Sequence, residues 1–446
     1  MRKYSIITTM LFPLLLIVSM VVISGIQTQN STPAQSDNVN TLITTSAAPT
    51  GLWDRTWGTW GMEYARAVAV DTSGNIFCAG TTYVLGAGGT DFALVKYLPT
   101  GIKAWNTTWG GHLSDECFDV AVDKSGNIYC SGITITFGVE TNDFALVKFF
   151  PNGTKAWNVT WGSSGDEACY GLRLDATGHI YCIGYTDTFG AGNNDLALVK
   201  FFPNGTKDWN VTWGGSDYDT GQDLAIASNG NVYCLAGTES FGAGDSDFAL
   251  VKFYPNGTKA WNTTWGAHAN ENARKIAINS NDAIYCFGDS ASFADPSKDL
   301  VLVKFFPNGT LDWNITWGTP NTENAQGLAI NPCDEIYLTY DIEGSSMPLI
   351  VEKFDANGIK EWNTSWDGSG DEFGIDIAVD SNGNIYCLAD YFTDQYDFLV
   401  VKFSDPLDCL PPSGIPGFEA IAVLLSLFFL IHIYTVRKHR RLPKII

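Results

Sequence analysis

Histidine is nearly missing from this chain. Five occur in 446 residues, and only His112, His179 and His268 lie outside the two ends, scattered over unrelated positions. No CxxC pair and no zinc-type Cys/His spacing accompanies them, so a zinc centre or a His-based catalytic group lacks its raw material. Basic residues are scarce as well, at 26 Lys and Arg against 48 Asp and Glu. Seven of the basic residues sit in the termini with only Asp37 and Glu419 of the acids, which leaves 19 against 46 in the middle, a charge of −27. That sign argues against nucleic acid, or an anionic membrane surface, as a partner of the middle region. Charged residues make up only 17% of the chain, whereas Gly numbers 45 and aromatics reach 13%. Such a composition suits many short strands joined by tight turns, in one large β-domain with a well-buried core.

Both ends read as membrane segments. Met1-Arg2-Lys3 precedes an apolar stretch from Ile6 to Ile23 and the small residues Ser24 and Gly25, the pattern of a signal peptide over residues 1–26. Residues 27–50, rich in Ser, Thr, Asn, Gln, Ala and Pro, form a flexible stalk in this reading. A Pro-bearing linker at 406–414 leads to a second apolar run at 415–436, long enough for a transmembrane helix. The basic residues of 437–446 follow at once and favour the cytoplasmic side. The expected placement is a single-pass protein of the cell membrane, with everything between the two runs outside the cell.

The middle is a repeat. WNTTWG or a variant recurs, with its second Trp at Trp57, Trp109, Trp161, Trp213, Trp265, Trp317 and Trp366; five spacings are 52 and the last is 49. Each unit carries four strand signals, here called A to D. In the second copy they are DVAVD from Asp119, NIYCSG from Asn127, DFALVKFF from Asp143, and TKAWNVTWG after the turn Pro151-Asn152-Gly153. The Asn-Gly pair predicts a hairpin with both central residues at φ > 0. Four antiparallel strands per unit, seven times over, predict an all-β seven-bladed β-propeller over residues 51–405. The chain begins with a lone strand D, Leu52–Gly58, and ends with a lone A, B and C between Asp376 and Phe403. The N-terminal strand therefore completes the seventh blade and closes the ring. Alternation in strand D puts Trp157, Val159 and Trp161 on one face, expected to pack on the next blade.

VDTSGNIFCAG, VDKSGNIYCSG and VDSNGNIYCLA, each followed by a DFALVKF-type strand and a Trp-bearing strand, resemble the seven-bladed β-propeller (SBBP) repeat and, more weakly, NHL repeats. The resemblance covers about 350 residues; it implies the propeller and says little of activity, since such repeats occur in surface proteins of diverse role. Blade six departs most, with Leu338 in place of Cys, Pro348 opening strand C, and a loop three residues shorter. Ile415-Pro416-Gly417-Phe418-Glu419, the apolar run and the basic end resemble the PGF-type sorting tails of archaeal surface proteins. That likeness implies exchange of the tail for a lipid; the run itself suffices as a retained anchor.

One position is acidic in all seven units: Glu63, Asp115, Glu167, Asp219, Glu271, Glu323 and Glu372, six residues after each Trp, in the loop from D to A. Innermost strands would gather these carboxylates near one mouth of the channel. A Ca²⁺ ring is the sharp reading, because hard oxygen ligands suit that ion; otherwise each carboxylate accepts N–H bonds of its own loop. No other cofactor is implied. Asp71, Asp123, Asp175 and Asp380 read as turn caps, and the recurrent strand C lysines as structural. Cys78, Cys130, Cys182, Cys234, Cys286 and Cys387 occupy equivalent positions too far apart to bridge. Cys117, Cys169, Cys333 and Cys409 have no evident pairing. Sequons for N-glycosylation recur at Asn106, Asn158, Asn210, Asn262, Asn314 and Asn363 in strand D, and at Asn152, Asn204, Asn256 and Asn308 in the turns before it.

The function expected is non-enzymatic: a cell-surface propeller presenting loops to an extracellular protein, polysaccharide or matrix. The alternative is a glycan-active hydrolase or lyase with its site at the channel mouth, which an asymmetric cluster of acids, Arg and Tyr would favour.

Overall fold

A four-residue turn sets the register of the outer hairpin in blades one to six. Pro151 has the φ that the second position of a type I turn requires, and Gly153 follows at φ 84°. The Gly153 N–H donates to Phe150 O at 2.9 Å and the Phe150 N–H to Thr154 O at 2.8 Å. This corrects the expected two-residue turn: only the glycine is left-handed, because Pro151 favours a type I turn whose strand is then realigned by one left-handed residue.

The computed structural model describes residues 48–139, 141–293, 297–344 and 348–405. The signal peptide, all but the end of the stalk, the linker, the transmembrane run and the basic tail lie outside the described residues. Among the described residues no helix is long and apolar enough to cross a membrane.

Seven four-stranded antiparallel sheets make up the described chain. In blade two, strands A to D are Asp115–Val122, Ile128–Thr134, Asp143–Phe149 and Lys155–Trp161. Six sheets are consecutive in sequence, while the seventh joins Gly51–Trp57 to the last three strands. Trp57 lies opposite Phe398 and Trp53 opposite Lys402, so the N-terminal strand closes the ring as expected. Strand A starts earlier than its sequence pattern shows. Asp115 already pairs with Thr134, and a bulge between Cys117 and Asp119 interrupts the alternation; the apolar pattern is therefore legible only beyond the bulge.

Seven apolar clusters hold the ring, and each draws on two neighbouring blades. Phe77, Phe92 and Trp109 of blade one meet Val120, Ile128 and Phe149 of blade two. At the closing seam, Trp57, Leu388 and Phe398 meet Ala65, Val68 and Tyr97. The strand D tryptophans thus pack on the next blade, each ring worth very roughly 2 to 3 kcal/mol by buried area.

Candidate functional site

Six ring acids open the inner strand of their blade and Glu372 is the second residue of its own, so none stands in the loop, and all seven are buried. The D-to-A loop turns back on the carboxylate. Gly111 N–H donates to Asp115 Oδ2 at 2.8 Å, and Ser163 N–H to Glu167 Oε2 at 2.9 Å. Thr59, Gly215, Ala267, Thr319 and Gly368 donate likewise to Glu63, Asp219, Glu271, Glu323 and Glu372. A strand B hydroxyl adds a second bond in five blades, as from Thr186 to Glu167 at 2.7 Å and from Ser290 to Glu271 at 2.9 Å. Among the described residues no three acids, histidines or cysteines converge as a metal ligand set. What the seven carboxylates do is close their own loops.

They also meet a second acid. At the start of strand C of the preceding blade stands Asp91, Asp143, Asp195, Asp247, Asp299 or, as second residue of its strand, Asp397, and its carboxyl points at the ring acid across the glycine that follows the Trp. A methyl group on Gly266 would lie 1.7 Å from Asp247 Oδ1 and 2.5 Å from Glu271 Oε2, and at Gly162 the same two contacts would be 1.7 and 2.6 Å. The glycine is needed because the acid pair fills the space of a Cβ. Oδ1 of Asp91, Asp195 and Asp247 is buried without a hydrogen-bond partner. Burial, and then the neighbouring acid, push Asp91 and Asp195 above the ordinary carboxyl range, and Asp397 beside Glu63 rises to about 6.

The expected turn caps, strand C lysines and buried thiols are structural. Asp123 Oδ1 accepts the N–H of Ser125 at 2.8 Å and of Asn127 at 2.9 Å, a turn cap. The strand C lysines lie over aromatic rings, as Lys148 Nζ does 4.8 Å from the Tyr129 centroid. The six equivalent cysteines, with Cys117 and Cys169, are buried free thiols. Cys333 is disulfide-bonded; Cys409 lies outside the described residues. The strand D sequons lie on the outermost strand of each blade, where Asn158 Oδ1 accepts from Lys155 Nζ at 2.8 Å. Asn152 stands exposed in its turn, accepting from Thr154.

Two asymmetries escaped the repeat reading. The first lines the inner strands. Arg173 bridges Asp119 at 2.8 Å and Asp223 at 2.9 Å, and Lys275 lies 3.8 Å from Asp376. These acids also take backbone N–H bonds from the next blade, at Leu172, Ile276 and Val68, so the network stitches blades together. Its signal was present: four residues after the ring acid the seven blades read Ala67, Asp119, Gly171, Asp223, Lys275, Gly327 and Asp376, where most of the repeat is uniform.

The second asymmetry is a cavity of about 430 Å³ between blades five and six. Glu352, buried where the other six blades have Val, accepts Trp317 Nε1–H at 2.8 Å, Tyr340 O–H at 3.1 Å and Lys360 Nζ at 2.5 Å. Tyr340 stands where other blades have Gly or Ala, and Pro348 where they have Asp. In blades two to five a Phe of the B-to-C loop covers the preceding blade's Trp, as Phe137 covers Trp109 at 5.0 Å and Phe189 covers Trp161 at 5.3 Å. The shortened loop of blade six contains no aromatic residue.

A family model described as "Domain of unknown function (DUF5122) beta-propeller" matches residues 176–208. No curated protein matches the chain in sequence. Among solved structures, an ulvan lyase described as a new polysaccharide lyase family, PL25, aligns with TM-score 0.51 at 10% identity, over 77% of this chain and 95% of that one. The β-propeller domain of the trilobed protease from Pyrococcus furiosus aligns with TM-score 0.47 at 8% identity, over 79% and 100%. A protein of unknown function from Dyadobacter fermentans gives 0.48 at 11%, over 80% and 100%. At such identities the likeness is one of fold alone, and the fold is that of a seven-bladed β-propeller with four-stranded blades.

Proposed function

We propose that the chain is a non-enzymatic module of the cell surface, tethered through its C-terminal apolar run, whose propeller binds an extracellular partner. The observation that carries this reading is the blade-six cavity, where several departures from an otherwise regular repeat converge on one recess. Binding fits its chemistry better than bond cleavage. Glycoside hydrolysis needs two carboxyl groups facing one bond, whereas Glu352 has both oxygens engaged by Trp317, Tyr340 and Lys360. Glu323, the other acid of the cavity lining, accepts from Thr319 through Oε1 and turns Oε2 toward Asp299. The repeat strings support kinship with SBBP repeat proteins, and the PGF-like tail supports an archaeal surface location, with N-glycans on the exposed turn sequons Asn152, Asn204, Asn256 and Asn308.

The test is incubation of the full chain, in detergent, with the polymers and proteins of its own cell surface. Retention on one of them with no release of reducing ends or unsaturated sugars is expected. Product release would instead establish a glycan-active enzyme. Intact mass of protein extracted from its native membrane tests the tether: loss of everything after about Gly417 with an added lipid would replace the retained helix by a lipid anchor.

A further inference from the structure

Blade six breaks the repeat at Tyr340, Ile342, Pro348 and Glu352, and all four line the same cavity. Drift in a repeat scatters over its faces. Here the changes converge beside Trp317, which is half-buried like Trp265 and Trp366, and the blade-six loop carries no aromatic residue in its sequence.

We propose that this cavity binds a neutral sugar ring of an extracellular polysaccharide, which gives a ligand class to the binding-module reading and rests on it. Its volume, about 430 Å³, is at the smaller end of ligand pockets. Its one cation, Lys360, is already paired with Glu352, and the lining adds a second acid, Glu323. Glu352 is held by Lys360, Tyr340 and Trp317, so an ionised ligand would find no free counter-charge, and a uronate would meet two acids in a strongly acidic protein. A neutral polyol needs no counter-charge. It needs donors and acceptors in fixed places, which the half-exposed Lys360 ammonium and the exposed Asn363 amide supply. Asn363 is also released for this task. In four other blades the strand D lysine donates to its sequon Asn, as Lys207 does to Asn210 at 2.8 Å, whereas Lys360 turns to Glu352. Trp317 adds an aromatic body with its N–H already engaged, suited to the apolar C–H face of a sugar. The three bonds on Glu352 hold this wall rigid before any ligand arrives, which limits the ordering cost of binding.

The experiment is calorimetric titration of the full chain in detergent with neutral gluco-, manno- and galacto-oligosaccharides, alongside Tyr340→Gly and Glu352→Val. Both substitutions install residues that other blades carry at these positions, and circular dichroism checks that the fold is kept. Saturable binding of at least one oligosaccharide, weakened tenfold or more by either substitution, is expected. No saturable binding of any of the three at millimolar concentration, or binding that both substitutions leave unchanged, overturns the proposal. Substitution-sensitive binding of a glucuronate oligosaccharide or a surface protein, without the neutral sugars, would also overturn it while leaving the binding-module reading intact.

Discussion

Pro348 and Asp367 hold the places that aspartate and glycine hold in the other six blades. Where strand C loses its acid, the residue after the Trp becomes one. Glu372 still has an acidic neighbour, and burial, followed by the charge of Asp367, pushes its carboxyl up. The seven D-to-A junctions therefore each pair an acid with the ring carboxylate, by two routes.

This exchange predicts coupling. Gly266→Ala would bring a methyl to 1.7 Å from Asp247 Oδ1 and is expected to cost about 1 to 3 kcal/mol, as overpacking does. In blade six, Pro348→Asp should destabilise alone and be partly rescued by Asp367→Gly, with a coupling of about 0.5 to 3 kcal/mol in a double-mutant cycle of urea melts. Additive effects would show that the two positions do not share one space.

Stability should fall as pH rises from about 5 to 8. Burial alone raises Asp341 to about 6, and burial with a neighbouring acid raises Asp397 to about 6 and Asp390 to about 7 in the folded chain, against about 4 when unfolded. Between those values the folded state holds more protons than the unfolded one, so this stability is complete below about pH 4 and is lost as pH climbs through the folded values. Asp123 and Asp175 have the opposite sign. Burial raises them, but their turn hydrogen bonds outweigh it and hold both below the usual range, so their contribution disappears as pH falls below about 4. Calorimetry across pH 3 to 8 should find the highest melting temperature near pH 5, and Asp397→Asn should flatten the alkaline limb. A melting temperature that rises steadily to pH 8 contradicts the raised carboxyls.

Millimolar Ca²⁺ is expected to leave the melting temperature unchanged at pH 7, because the ring carboxylates are already occupied by loop N–H groups. A thermal shift abolished by Glu167→Gln with Glu271→Gln would revive the calcium ring.

Deleting Leu52–Gly58 should lower the melting temperature sharply, since it strips the outer strand from blade seven and removes Trp57 from the closing seam. Trp57→Ala alone should cost about 3 to 5 kcal/mol. A deletion that melts like the parent would mean that the ring closes without its N-terminal strand.

Periodicity carried most of the architecture. Seven tryptophans at near-constant spacing, turn residues at constant offsets and a lone strand D at the start were enough to state the blade count, the strand order and the closure, because a repeat must solve the same packing problem seven times. Strand starts were less legible, since the bulge between Cys117 and Asp119 resets the two-residue alternation. What the ring acids do is left open by the sequence, because a calcium ring and loop-closing hydrogen bonds both fit their spacing. Their spacing shows that they are equivalent; only three-dimensional placement shows that each turns into its own loop and meets an acid of the preceding blade. Blade six makes the same point for the cavity. Its departures at Tyr340, Pro348 and Glu352 are visible one by one along the chain, but Trp317 belongs to the previous repeat and Lys360 to the next strand. Only the packing of two blades brings these side chains around one space, because contacts across a sheet interface are set by the twist and stacking of strands and not by distance along the sequence.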